Sequence, residues 1–180
     1  MKLVILDRDG VINRDSKAYI KTHSEWKALP GSLEAIARLH QAGYVVVVAT
    51  NQSGLGRGLF DHKALAGIMR KMHDAVQAEG GEIAAVFFCP HSPDDFCTCR
   101  KPKSGLFEQI RQRFNIDNLD GVPAIGDSMR DLEAANTAGA TPILVRTGNG
   151  AKTEAELDTD ADIAVFDTLL DAANDLINDG

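Results

Sequence analysis

Four valines in succession, Val45-Val46-Val47-Val48, lie between Tyr44 and Ala49 with no polar residue to interrupt them. A strand that is apolar at every position has no face to offer water, so it suits burial on both sides, as in a parallel sheet covered by helices. The rest of the chain repeats this theme. Short strand-forming runs at 3–7, 83–89, 122–125, 141–145 and 163–165 join the one at 44–49, and apolar residues at helical spacing fill the gaps. Leu33, Ile36 and Leu39 form one stripe before Gly43, and Leu65, Ile68, Met69, Met72 and Val76 form another before Gly80-Gly81. The glycines act as helix stops. Further helices are predicted at 104–114, 128–138 and 168–177. The alternation predicts an α/β fold with a doubly wound, mostly parallel sheet. No repeat or linker divides the chain, so one domain over 1–180 is expected, with Gly148-Asn149-Gly150 as the place where the last thirty residues could loosen.

With 19 Lys+Arg against 26 Asp+Glu, the net charge is −7 and no basic run stands out. Binding to a phosphate backbone depends on clustered cations, so nucleic acid is not an expected partner. The apolar runs fall far short of the roughly 20 residues that span a bilayer. Met1-Lys2 leads straight into a strand without a signal pattern, and a cytoplasmic protein with no membrane partner is expected. A chain of this length buries roughly 70% of its unfolded surface, enough for a core of its own, which makes a monomer the default.

In doubly wound sheets, ligands collect beyond the carboxyl ends of the strands at the switch point of the topology. Three strand ends carry chemistry. The first runs into Asp7-Arg8-Asp9-Gly10, two carboxylates one residue apart with a glycine that permits the turn. The second runs into Thr50-Asn51-Gln52-Ser53-Gly54, a group of hydroxyl, amide and backbone donors suited to phosphate oxygens. The fourth runs into Gly126-Asp127-Ser128-Met129-Arg130-Asp131, and Arg100-Lys101-Pro102-Lys103 precedes a helix between them. Singly, a strand-end Asp is most often a helix cap and Thr-Asn a turn. It is their combination and order that carry information.

All three cysteines fall between Cys89 and Cys99, in the pattern C-x-H-x5-C-x-C made by Cys89, His91, Cys97 and Cys99. Three thiolates and one imidazole match a closed tetrahedral Zn²⁺ site with no position left for water, hence a structural metal. Its expected purpose is to hold an otherwise irregular loop so that Arg100 and Lys101, which follow the last cysteine, are placed with the accuracy a reaction needs.

Together, the motifs at Asp7/Asp9, Thr50, Lys101 and Asp127 resemble those of the haloacid dehalogenase superfamily of phosphohydrolases, and the resemblance extends to about Val145. It implies that Asp7 is the nucleophile, forming an aspartyl-phosphate. Asp9 would be the acid that protonates the leaving group and the base that activates water. Mg²⁺ would be held by Asp7, Asp127 and the backbone carbonyl of Asp9, while Thr50 and Lys101 hold the phosphoryl oxygens. Asp131 is expected behind these residues or at a helix terminus.

Neither usual insertion point is long enough for a cap domain, so the site should be open. Within the capless group, two families with a zinc loop are similar: the heptose 1,7-bisphosphate phosphatases and the histidinol-phosphate phosphatases. Thr50-Asn51-Gln52-Ser53-Gly54-Leu55-Gly56-Arg57-Gly58 and Cys99-Arg100-Lys101-Pro102 look more like the former, whereas the short zinc loop looks more like the latter. A second phosphate on the substrate would suit Arg57 or Arg100. The heptose resemblance implies removal of the C7 phosphate during the making of nucleotide-activated heptose for lipopolysaccharide. It also implies substrate contacts from Asp15, Ser16, Lys17 and Ala18 in a flap, from Asn51, Gln52, Ser53 and Arg57, and from Arg100 and Ser128. From a different class, a receiver-like phospho-aspartate switch uses similar residue types, but it has no need of the Asp7-x-Asp9 pair.

Overall fold

In a computed structural model that describes residues 1–158 and 161–178, six parallel strands form one sheet in the order β3-β2-β1-β4-β5-β6. The strands are β1 (Lys2–Leu6), β2 (Tyr44–Asn51), β3 (Ala85–Cys89), β4 (Pro123–Gly126), β5 (Thr141–Val145) and β6 (Ala164–Phe166). The chain winds outward from β1 to β3, crosses back to place β4 beside β1, and winds outward again. This doubly wound α/β arrangement puts the switch point between β1 and β4.

The valine run behaves as a two-faced strand requires. Val46 and Val48 face a core with Ile36, Leu39, Ile68 and Met72, contributed by α1 (Ser32–Gln41) and α3 (His62–Ala78). Val47 faces the opposite core with Leu106, Phe107 and Ile110 of α4 (Gly105–Phe114) and Ala134 and Ala135 of α5 (Met129–Thr137). All three valines are essentially inaccessible.

The predicted strands shift by one or two residues at their ends, as hydrogen-bond pairing rather than hydropathy decides where a ladder starts. Ile83, for example, is buried but lies before β3. Two helices were not foreseen. Short α2 (Ser53–Gly56) follows β2, and α6 (Gly150–Glu156) follows β5. Both begin or end in glycine, which reads as loop in a sequence. The final helix is α7 (Leu169–Asn178). Between β1 and α1 stands only a flap, pinned by Val11, Ile12, Ile20 and Trp26 in the core and by Lys71 Nζ, which donates to the carbonyls of His23 and Trp26. Trp26 is thus a packing residue. Between β3 and α4 lies the cysteine loop.

Candidate active site

Asp7 follows the last residue of β1, and its backbone N–H donates to Ile125 O of β4. Lys101 reaches it from the far side of the cysteine loop, with Nζ 2.8 Å from Asp7 Oδ1, 2.7 Å from Ala49 O and 2.6 Å from Asp131 Oδ1. An ammonium has three hydrogens and all are engaged. What Lys101 offers an incoming anion is therefore its charge, unless one of these bonds is exchanged. Burial opposes that charge, but Asp131 and Asp7 outweigh it and the Lys101 pKa is raised. Asp131 also accepts from the N–H and hydroxyl of Ser128 through Oδ2, closing the capping box of α5. The Asp131–Lys101 contact was not foreseen, since helix-cap aspartates are common and nothing in their spacing shows what lies on the other side.

Asp9 sits in a cradle of donors. Arg8 approaches it with Nε and Nη2, Asn13 with Nδ2 at 2.8 Å, and Gln52 with Nε2 at 3.1 Å. The second hydrogen of that Gln52 amide goes to Thr50 Oγ1. Thr50 thus accepts through its oxygen and keeps its own proton to donate. Asn51 likewise uses its carboxamide internally, on the backbone of Lys101.

Asp127, at the end of β4, is wedged between two glycines. A Cβ on Gly10 would lie 2.0 Å from Asp127 Oδ2 and one on Gly148 would lie 2.1 Å from it, so neither position tolerates a side chain. Asn149 bonds the same oxygen. Gly148-Asn149-Gly150 is therefore a clamp on the site, contrary to the expectation that it loosens the chain. Its place just beyond β5 is the signal that could have found it.

Asp7, Asp127 and Asp131 each offer an oxygen within 4.8 Å of the others. Burial first, then the neighbouring carboxylates, push Asp7 up to about 8 against the pull of Lys101. Burial likewise pushes Asp127 up to about 7, against the hydrogen bond from the Asn149 backbone. An all-oxygen set of crowded carboxylates with one buried lysine among them fits a hard divalent cation such as Mg²⁺. Both Asp131 oxygens are engaged by Lys101 and Ser128, which leaves Asp7 and Asp127 as the carboxylates able to hold it.

These groups open into a cavity of about 310 Å³, within the size range of small-ligand sites. Asp15, Ser16, Lys17, Asn51, Gln52, Ser53, Arg57, Arg100 and Ser128 line it, as do Tyr19, Ile20, Phe60, Pro93, Arg130 and Asn149, which the sequence did not single out. Ala18 does not line it. It borders an adjoining groove of the flap and lies within the turn closed by Tyr19 N–H on Ser16 O. Arg100 Nη1 is buried and has no partner among the described residues.

The cysteine loop also closes on itself. Cys89 Sγ lies 3.8 Å from Cys97 Sγ, and His91 Nδ1 lies 3.6 Å from Cys89 Sγ and 3.3 Å from Cys99 Sγ. A tetrahedral zinc with Zn–S bonds of about 2.3 Å has S–S edges of about 3.8 Å and S–N edges of about 3.6 Å, close to these three distances, and all four ligand atoms lie within 4.8 Å of one another, so the cluster fits zinc. Burial pushes the Cys89 thiol up to about 12, a cost that a bound cation removes by taking the thiolate directly. The loop is tied to the strand-end donors by Gln52 N–H on Cys89 O and Gly56 N–H on Pro90 O, both 2.8 Å.

A family model described as polynucleotide kinase 3 phosphatase matches residues 2–129, and one described as HAD-hydrolase-like matches residues 98–172. Acids from β1 and β4 meeting a lysine and a threonine at the switch point of this sheet define a phosphohydrolase of the haloacid dehalogenase type. The D-glycero-β-D-manno-heptose-1,7-bisphosphate 7-phosphatase of Bordetella bronchiseptica is 60% identical over 87% of each chain. That of Pseudomonas putida is 49% identical over 98% of this chain and all of its own. The crystal structure of D,D-heptose 1,7-bisphosphate phosphatase from B. bronchiseptica, complexed with magnesium and phosphate, superposes over the full length of both chains with a TM-score of 0.97 and 54% identity. The chain belongs to the family of D-glycero-β-D-manno-heptose-1,7-bisphosphate 7-phosphatases.

Proposed function

We propose that this chain, acting as one phosphatase domain, hydrolyses the 7-phosphate of D-glycero-β-D-manno-heptose 1,7-bisphosphate through an aspartyl-phosphate on Asp7. Asp7 Oδ2, the oxygen not bonded to Lys101, attacks phosphorus as the bond to the sugar oxygen breaks. Asp9 gives the leaving alkoxide its proton, then takes one from the water that cleaves the aspartyl-phosphate and releases inorganic phosphate. The Thr50 hydroxyl donates to a phosphoryl oxygen, and the Lys101 charge offsets the approach of a dianion to Asp7. Magnesium, held by Asp7, Asp127 and the carbonyl of Asp9, supplies the remaining positive charge that lets carboxylates and phosphate share the cavity. Zinc on Cys89, His91, Cys97 and Cys99 serves the loop and takes no part in the chemistry.

The observation that carries this function is the convergence of all four motifs on one cavity, with Lys101 2.8 Å from Asp7. The lining supports a bisphosphate: Lys17, Arg57 and Arg100, whose Nη1 has no partner among the described residues, stand along the cavity. The relatives favour neither histidinol phosphate nor a receiver-like switch. No helix among the described residues is long and apolar enough to cross a membrane; we read the chain as a cytoplasmic monomer working on a small phosphorylated sugar, and its net charge of −7 does not favour nucleic acid. Release of phosphate from heptose 1,7-bisphosphate and from histidinol phosphate, compared with Mg²⁺ present, tests the assignment. The heptose is expected to be turned over faster, Asp7→Asn is expected to be inactive but folded, and faster turnover of histidinol phosphate would reverse the choice.

A further inference from the structure

The strand end that the chemistry above leaves unused is that of β5, where Asn149 stands at the start of α6. Asn149 donates twice to one oxygen of Asp127: its backbone N–H lies 2.8 Å from Oδ2, and its carboxamide nitrogen lies 3.2 Å from the same atom. The amide's other hydrogen reaches toward Asp15 of the flap, at 3.4 Å. Thr153 steadies both partners from below, its hydroxyl 2.8 Å from Asp127 O and 3.2 Å from Asn149 O. Gly10 and Gly148 close on Oδ2 from the sides. Among the described residues no hydrogen bond reaches Oδ1.

The geometry points to Asn149 as the positioning residue that decides which oxygen of Asp127 meets the metal, and so sets the affinity for magnesium. A carboxylate free to turn about its last bond presents either oxygen, or both, to a cation. With Oδ2 held by two donors and wedged between two glycines, Asp127 presents Oδ1 alone. Partners of this kind orient ligands, and losing one weakens metal binding by about 10–100-fold. The backbone N–H survives substitution of the side chain, so the lower end of that range is expected for Asn149→Ala. The inference rests on magnesium being held by Asp7 and Asp127.

Magnesium titrations of the full, zinc-loaded chain by calorimetry test it, with wild type, Asn149→Ala and Asp127→Asn side by side. Asn149 is exposed, so its truncation leaves the core intact, and an unchanged melting temperature without magnesium verifies this. The dissociation constant for magnesium is expected to rise about tenfold in Asn149→Ala. The magnesium concentration for half-maximal turnover should rise in step, with maximal turnover changing less. If Asp127→Asn loses magnesium binding while Asn149→Ala keeps the wild-type affinity, the role given to Asn149 is overturned. If Asp127→Asn binds magnesium as wild type does, the metal site itself is misassigned and the inference falls with it.

Discussion

The carboxamide of Asn51 pairs with the backbone of Lys101 in both directions, Nδ2 donating to its carbonyl and Oδ1 accepting from its N–H, each at 3.1 Å. The last residue of β2 thereby holds the residue that follows the cysteine loop, 50 positions away in the chain. The ammonium that contacts Asp7 is placed from two ends: by the loop that delivers it and by the strand that grips its backbone.

Replacing Asn51 with Ala removes that grip without touching the cation. A displacement of about 1 Å in a reacting group costs on the order of 100-fold in rate. Turnover of Asn51→Ala should fall about tenfold to 100-fold, with KM moving much less, as read by steady-state phosphate release.

Zinc in the cysteine cluster is expected to act on the same lysine from the other direction. Removing it with a chelator, or replacing Cys99 with Ser, frees the loop that ends at Arg100. The protein should then lose most of its activity and melt at a lower temperature, although Asp7, Asp9 and Asp127 are untouched. Elemental analysis of active protein should find about one zinc per chain, as a closed four-ligand site implies, and active protein free of zinc would refute the role given to the loop.

Burial, then the neighbouring carboxylates, hold Asp7 and Asp127 at about 8 and about 7 in the metal-free protein, against about 4 in an unfolded chain. Between those values the folded state binds more protons than the unfolded one. Stability without magnesium should therefore decline as pH rises from about 4 and level off above about 8. Thermal melts of zinc-loaded protein should show a lower midpoint at pH 8 than at pH 6 when magnesium is omitted. Added magnesium should raise the midpoint more at pH 8.

Gly10 and Gly148 offer a test of the wedge around Asp127. Both have positive φ, 85° and 60°, where an alanine is strained whatever the space, at about 1–3 kcal/mol. Each new Cβ would in addition collide with Asp127 Oδ2. Gly10→Ala and Gly148→Ala should each be destabilised by about 2 kcal/mol or more in urea unfolding and should bind magnesium more weakly than wild type.

Much of the site was legible because strand ends are legible. Val45 to Val48 marked a doubly buried strand, which implies a parallel sheet and sends the search to the residues just after each strand. Asp7, Thr50 and Asp127 were found there. Residues whose work depends on a partner remote in the chain were not. Asn149 was hidden between glycines that read as a hinge, and Asp131, expected behind the reacting residues or at a helix terminus, is both, but its partner Lys101 was not legible. Ala18, a substrate contact by the family resemblance, lies beside the cavity in an adjoining groove of the flap and does not line it.

The amino-acid sequence alone determined the class of sheet and marked the strand-end acids and the Cys-His cluster as candidates, with the roles of the acids coming from the family resemblance. Periodicity and the spacing of four potential ligands within eleven residues need no knowledge of distant contacts. Tertiary structure decided the hydrogen-bond partners of each side chain: Lys101 saturated by three acceptors, Gln52 bridging Asp9 to Thr50, and one oxygen of Asp127 locked by Asn149. The physical reason is that a hydrogen bond is set by distances of about 3 Å between groups, and only the packing of the sheet against its helices brings residues so far apart in sequence to that range.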